Sequence, residues 1–432
     1  MKKNAKQNSE NGRKTLCLLL MILILLSLLT ACGGQQGTAA EPEAPVAETA
    51  EEQKPVVQSP PSESPTPMPS PEIAVDFKIG DQQVTKETSE IDLSQVTEIE
   101  LKRFLEFLPY LEGLETLLLG KDTAENPRIS WETVWEIESA RPDVRLQYTF
   151  TVHGYPFDLQ GNILNLNHIR FEDKGALAYQ MARCMPNLQI LDMDSCGVAD
   201  EDMARIRDQL PNVNVIWRVF FGRAYSARTD VERLMISNPV KSGVYDLYDE
   251  QLKGLYYCTK VKYLDLGHLA FIKDVGYVAN MPDLEVLIIA MTAIKNADAL
   301  ASCHKLNYLE FQTSAACDLS ALKDLTALRD LNIAYNFALH DMSPIMDLEL
   351  DRLYIGKFTP IPREQIEEYK ARHPNCIVNT TTEDPTEEGW RTMKGGVAPR
   401  YEQLRKEFQY GTNPRCYAYN ENDRRYRYRF EY

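Results

Sequence analysis

No H-E-x-x-H, C-x-x-C, G-x-G-x-x-G or P-loop spacing occurs in the 432 residues, and the six histidines do not pair at metal-ligand intervals. The sequence signatures of zinc hydrolases, thiol redox centres, dinucleotide folds and nucleotide triphosphatases are therefore missing, and no metal or cofactor is expected. Basic charge is also in deficit: 47 Lys and Arg face 63 Asp and Glu, a formal charge of −16. That balance argues against nucleic acid as a partner. The apolar run Leu16 to Leu29 is fourteen residues, shorter than the roughly 20 needed to span a bilayer as a helix. From Gly33 to Glu72 there is no aromatic residue to seed a core, only nine prolines, seven acidic residues and one lysine among small polar ones. A segment of that composition does not fold alone.

What is present is a repeat. Leu284-x-x-Leu287-x-Ile289, Leu306-x-x-Leu309-x-Phe311, Leu328-x-x-Leu331-x-Ile333 and Leu350-x-x-Leu353-x-Ile355 begin 22 residues apart. Positions 4 and 6 of each copy share one face of a short strand, since side chains alternate with period 2. A second phrase marks the return path: Asp274-Val275, Asn296-Ala297, Asp318-Leu319 and Asp341-Met342, each followed three residues on by Val278, Leu300, Leu322 or Ile345. One turn thus has an inner strand and an outer apolar rung, which only its stacked neighbours can bury. Upstream the pattern recurs in a longer form. Leu114-x-x-Leu117-x-Leu119, Leu188-x-x-Leu191-x-Met193 and Val261-x-x-Leu264-x-Leu266 lie 74 and 73 residues apart, so about three turns make a larger unit. Outer helices are expected at Trp131, Val134 and Trp135, at Met203, Ile206 and Leu210, and at Ile366 and Tyr369, each stopped by Pro142, Pro211 or Pro374. Strands near Ile91, Leu117, Leu146, Leu164, Leu191, Val215, Leu234, Leu264, Leu287, Leu309, Leu331, Leu353 and Ile377 give about thirteen turns.

The repeats resemble those of leucine-rich repeat proteins, and more narrowly the 22-residue internalin-like class. The resemblance implies an α/β solenoid, a curved parallel sheet with helices or short turns on its convex side. The family favours Asn at position 9 for a backbone-bonding ladder. Here that position holds Thr292, Ser314 and Asn336, but Leu269 and Phe358 in two other turns, so an incomplete ladder is expected. The start of the chain carries a second resemblance. Lys2, Lys3, Lys6, Arg13 and Lys14 precede the apolar run, which reads as a secretory signal and ends in Leu29-Thr30-Ala31-Cys32. That ending resembles a bacterial lipobox, which implies cleavage before Cys32, acylation of its thiol, and a membrane anchor on the extracytoplasmic face of a bacterial cell.

The expected organisation is a lipoprotein signal peptide over 1–31, a lipidated Cys32 and disordered Pro/Glu-rich tether over 32–72, the solenoid over 73–383, and a capping segment over 384–432. Glu388-Gly389-Trp390-Arg391 and Arg400-Tyr401-Glu402-Gln403-Leu404-Arg405 resemble a closing segment that follows the repeats in some clostridial surface proteins. Arg425-Tyr426-Arg427-Tyr428-Arg429-Phe430 alternates charge and ring and is expected to pair with Cys416 to Tyr419 in a hairpin over the solenoid's open end. A basic contact for cell-wall polymer or lipid headgroup is the other reading of that strand. Cys184, Cys258 and Cys303 occupy slots filled elsewhere by Met281 or Leu325. They are read as buried free thiols.

In leucine-rich repeats the outward strand positions form the concave face, where family members bind protein ligands. The expected ligand-binding residues here are Tyr263, Asp265, His268, Ile288, Met291, Tyr308, Glu310, Asn332, Tyr335 and Tyr354. Exposed rings flanked by carboxylates have the composition of a recognition patch, although the same columns could serve only neighbour-to-neighbour strand packing. On this reading Tyr308 is a central hot spot whose loss leaves folding nearly untouched. The chain is then a binding protein for an unknown protein or glycan, and not an enzyme. The alternatives are an envelope-polymer enzyme using Asp192, Asp265 and Glu310 as acid and base, or a purely structural envelope component.

Overall fold

The computed structural model describes residues 75–222, 225–236, 247–410 and 416–419. The signal segment, Cys32, the tether and Arg425 to Phe430 lie outside the described residues. A hairpin of β1 (Asp76–Ile79) and β2 (Gln82–Thr85) opens the described unit. Parallel strands β3 (Glu90–Asp92), β4 (Thr116–Thr123) and β5 (Arg145–Val152) follow, and β6 (Tyr155–Asp158) turns back antiparallel on β5. A second parallel group contains β7 (Ile163–Asn165), β8 (Ile190–Asp192) and β9 (Asn214–Ile216). After it comes a hairpin of β10 (Arg218–Phe221) and β11 (Tyr225–Arg228).

The main sheet has seven parallel strands: β12 (Arg233–Ile236), β13 (Tyr263–Asp265), β14 (Val286–Ile288), β15 (Tyr308–Glu310), β16 (Asp330–Asn332), β17 (Arg352–Tyr354) and β18 (Ile377–Asn379). Its register places Val286, Tyr308, Asp330 and Arg352 side by side, the same repeat position in each turn. The fold is a leucine-rich repeat solenoid. All thirteen expected strands are present, but they form three sheets rather than one. In β5 the residues Leu146, Tyr148, Phe150 and Val152 are buried alternately, and Gly154 in a left-handed turn reverses the chain. The returning β6 occupies the edge of β5 to which β7 would otherwise bond. The hairpin of β10 and β11 makes the second break, three turns later.

The coil's interior is one continuous apolar cluster that includes Leu264, Leu287, Leu309, Leu331 and Leu353 from the strands and Val278, Leu300, Leu322 and Ile345 from the outer rungs. On the convex side the 22-residue turns use short 3-10 segments, and the longer turns use α-helices. These are α1 (Glu98–Leu105), α2 (Trp131–Ala140), α3 (Ala176–Arg183), α4 (Asp200–Gln209) and α5 (Arg363–Arg372). Thr97 and Glu100 close a capping box on α1, and the Ser130 hydroxyl caps α2, satisfying amides that the first turn leaves without partners. Helices α2, α4 and α5 end just before their prolines, as the sequence implies. Trp135 departs from expectation: it is exposed, with the Arg183 guanidinium 5.4 Å from its ring centre, and Ile137 takes the buried place.

The position-9 ladder is partial. Asn336 donates to the carbonyls of Phe311 and Ile333, and its own side-chain oxygen accepts from the Ser314 amide. Thr292 reaches only the carbonyl of its own turn. One position earlier, His268, Met291, Thr313 and Tyr335 all sit at left-handed φ, between 52° and 67°. Such a backbone is costly for a residue with a Cβ. In the first three, the amide donates to the neighbouring turn's Ala290, Gln312 or Ala334 carbonyl, which offsets that cost. The thiols of Cys184, Cys258 and Cys303 are free and buried, in their apolar slots.

Glu138 on α2 is a charged exception inside this packing. It is buried, its Oε2 has no hydrogen-bond partner among the described residues, and burial pushes its carboxyl up to about 7. A carboxyl whose folded pKa is raised favours folding only while protonated, so the protein loses stability as pH rises from about 4.5 to about 7. Chemical denaturation across that window should show a loss of roughly 2–3 kcal/mol in the wild type that Glu138→Gln lacks. Parallel pH profiles for the two proteins would show that this carboxyl is not the cause.

Candidate functional site

The described residues 380–410, beyond β18, do not sit at an end of the coil. They cross the concave side of the main sheet as a strap. A short hairpin of β19 (Thr392–Met393) and β20 (Gly396–Val397) is followed by helix α6 (Pro399–Glu407). The last described strand, β21 (Cys416–Tyr419), pairs antiparallel with β12. It covers an edge of the main sheet that an unpaired β12 would otherwise leave open; the expected hairpin partner, Arg425 to Phe430, lies outside the described residues.

Trp390 and Arg391 carry the centre of the contact. The Trp390 ring lies between Tyr308 and Tyr354, with centroids 5.2 and 5.0 Å away, and the Arg352 guanidinium is 4.5 Å from its centre. Its indole N–H donates to Glu310 Oε1 at 2.8 Å. Arg391 sets both sides of its fork on the same carboxylate, Nε at 3.1 Å from Oε1 and Nη2 on Oε2. The Tyr308 hydroxyl and the Gln312 amide also donate to Glu310. Burial opposes ionisation of this carboxyl, but the Arg391 charge and the hydrogen bonds outweigh it and hold Glu310 below its ordinary range. Paired and fully bonded, the charge is tolerated where an isolated one would not be.

The flanks are held in the same manner. Asp265 accepts from the Tyr410 hydroxyl and from the Gly267 amide. Burial pushes this carboxyl up to about 6 against those two bonds, which favour the anion. Asn332 donates to the Pro385 carbonyl at 2.7 Å, Tyr354 to that of Glu388 at 2.7 Å, and Tyr335 to that of Glu383. Arg400 lies 3.4 Å from Asp330, and Arg233 bonds Glu407 at 2.5 Å. Helix α6 turns Leu404 inward, and with Phe408 it joins Met235, Val286, Ile288 and Ala290 in a second apolar cluster.

The ten residues expected to line an open face are thus brought together, but under a cover. Asp265, Ile288, Tyr308, Glu310, Asn332, Tyr335 and Tyr354 are buried, Tyr263 and Met291 are half-buried, and only His268 is exposed. The expectation that Tyr308 could be removed without consequence for folding is corrected on this point, because its ring is completely enclosed. The Tyr263, Tyr308 and Tyr354 rings lie not on adjoining strands but on alternate ones, β13, β15 and β17, with β14 and β16 between them. The sequence reading missed what they contact: Trp390, Arg391, Leu404 and Phe408. The available signal was Tyr401, Leu404 and Phe408 at helical spacing beyond the last repeat, a face that needs an apolar partner.

The proposed acid–base set is likewise committed. Arg228 bonds Asp192 at 3.1 and 3.0 Å and Asp230 at 3.1 and 3.2 Å, Glu310 holds Arg391, and Asp265 holds Tyr410. Among the described residues no cluster of His, Cys, Asp and Glu could hold a metal ion.

No family model matches the chain, and no curated protein matches it in sequence. Among solved structures it is similar to an internalin from Listeria monocytogenes, with 19% identity over 71% of this chain and 86% of that one and a TM-score of 0.31. It is also similar to a leucine-rich repeat protein of Leptospira interrogans, with 12% identity over 63% of this chain and 74% of that one and a TM-score of 0.24. The superposition is loose in both cases.

Proposed function

We propose that the protein is a membrane-anchored, extracytoplasmic binding protein that takes a polypeptide on the concave face of its main sheet. The observation that supports this most is the docked strap itself: the face holds a polypeptide through an enclosed Trp, a forked Arg and a helix face. A sheet that merely stacked its neighbours would not need that chemistry on its outer side. The anchor rests on the basic start, the apolar run and Leu29-Thr30-Ala31-Cys32, and the tether on the proline-rich segment that follows. At about 3.1 Å per residue, such a tether reaches roughly 120 Å.

Metabolic labelling with a fatty acid should mark the wild type, and Cys32→Ala should abolish the mark. A label that survives this change discards the anchor. For binding, a photocrosslinking residue placed at His268, exposed at the rim of the face, should capture a discrete protein from the cell envelope or its surroundings. The same residue at Lys323, exposed on the convex side, should not. Capture from Lys323 alone, or from neither site, overturns the concave-face reading.

A further inference from the structure

The strap and the coil do not share a core. The strand and rung leucines form one apolar cluster inside the coil. Met235, Val286, Ile288, Tyr308, Tyr354, Trp390, Leu404 and Phe408 form a separate one on the opposite side of the sheet. Lifting the strap would expose the second cluster and leave the first closed, with the parallel ladder still bonded. Units that can separate in this way open at a lower free energy than the whole fold.

The contacts are those of a ligand in a groove. Trp390 and Arg391 fill a site made by Tyr308, Glu310, Arg352 and Tyr354. Tyr401, Leu404 and Phe408 then lie on the sheet at spacings of i, i+3 and i+7, the pattern by which an amphipathic helix reads a groove. Charge is complementary as well. Residues 390–410 carry five basic side chains and two acidic ones; Arg391 and Arg400 meet Glu310 and Asp330 on the face, Glu407 meets Arg233, and Asp265 takes the neutral Tyr410 hydroxyl.

Resting on the reading of this face as a binding surface, we propose that the strap is a resident, displaceable ligand. The outside partner is then a polypeptide segment of the same chemistry: a Trp-Arg pair followed by a basic amphipathic helix with apolar residues at i, i+3 and i+7. The strap is joined to β18 by about ten residues, which holds it at an effective concentration on the order of millimolar. An outside segment therefore binds only by outcompeting it, and the face stays closed to weak partners.

The test uses the full chain and a labelled synthetic peptide copying residues 384–410. The peptide should bind the Trp390→Ala/Arg391→Ala protein at least tenfold more tightly than the wild type, whose face is filled. Adding Glu310→Gln to that protein should weaken the peptide at least tenfold, and a peptide carrying the same two alanines should not bind. Equal affinity for wild type and variant overturns the proposal. So does absence of binding to a variant that keeps the wild-type circular dichroism. Should the double variant fail to fold, hydrogen exchange on the unmodified protein decides. The amides of Trp390, Leu404 and Phe408 should exchange at least tenfold faster than those of Ile289, Phe311 and Ile333, which bond between turns. Equal rates would mean that the strap opens only when the coil unfolds. If the peptide fails while crosslinking from His268 succeeds, the resident-ligand proposal falls and the binding reading stands.

Discussion

Arg391→Ala is expected to cost about 3–5 kcal/mol of strap docking, the range for breaking a buried ion pair from one side. Glu310 is fully buried, and without the guanidinium its charge keeps only the neutral donors of Trp390, Tyr308 and Gln312. The cheapest response is for the strap to lift and let water reach the carboxylate. The loss should appear as red-shifted tryptophan emission and as protease cleavage within residues 384–410, at temperatures where the circular dichroism of the coil is unchanged. A variant with wild-type emission and resistance would show that the pair contributes nothing. The pH dependence has a definite sign. The folded pKa of Glu310 is depressed, so its stabilisation is complete above the ordinary carboxylate range and is lost as pH falls through the folded value. Arg391→Ala should remove that acid-side loss of docking.

Leu309→Ala should destabilise the coil itself by about 2–5 kcal/mol, the span for truncating a buried leucine in a core that relaxes only partly. Leu309 is fully enclosed in the central turn, on the face of β15 opposite Tyr308 and Glu310. Its effect should therefore appear in global unfolding by denaturant and not in strap cleavage. Lys262→Ala should stay within roughly 0.5 kcal/mol. Its ammonium is partly exposed and pairs with Glu232 at 3.0 Å, a kind of contact that contributes little. Similar losses for the two variants would mean that inner and outer faces have been exchanged, which a one-residue shift of register would do.

The coil was legible because its signal is redundant. Leu287, Leu309, Leu331 and Leu353 announce the same position four times, and each copy checks the others. The outer helices were legible from Pro142, Pro211 and Pro374 together with the apolar spacing before them. The two hairpins that break the parallel sheet, β5 with β6 and β10 with β11, were not. Leu146, Tyr148, Phe150 and Val152 alternate through His153-Gly154, a turn signal in its own right, but the longer repeat draws the eye to a single strand per turn. The strap escaped for a different reason. Trp390, Arg391, Leu404 and Phe408 occur once each, with no second copy to fix their register. Several of their partners lie 80 or more positions earlier, as with Glu310 and Trp390, and even the nearer Arg352 is 38 positions from Trp390. From the columns alone, Tyr308 and Glu310 look like an empty surface, because what fills it is a long-range contact that no local pattern encodes.

A coil of stacked repeats can ordinarily gain or lose a turn, since each turn touches only its neighbours. Here both ends of the strap are fastened to particular strands, Trp390 against β15 and β17 and strand β21 along β12. One more 22-residue turn between them would separate the anchors by about another 4.8 Å and would put a different column of side chains beneath Phe408 and Tyr410. The strap thus works as a ruler. It ties the number of repeats in the main sheet to its own length, so insertions and deletions that open solenoids accept freely would need a compensating change in the strap.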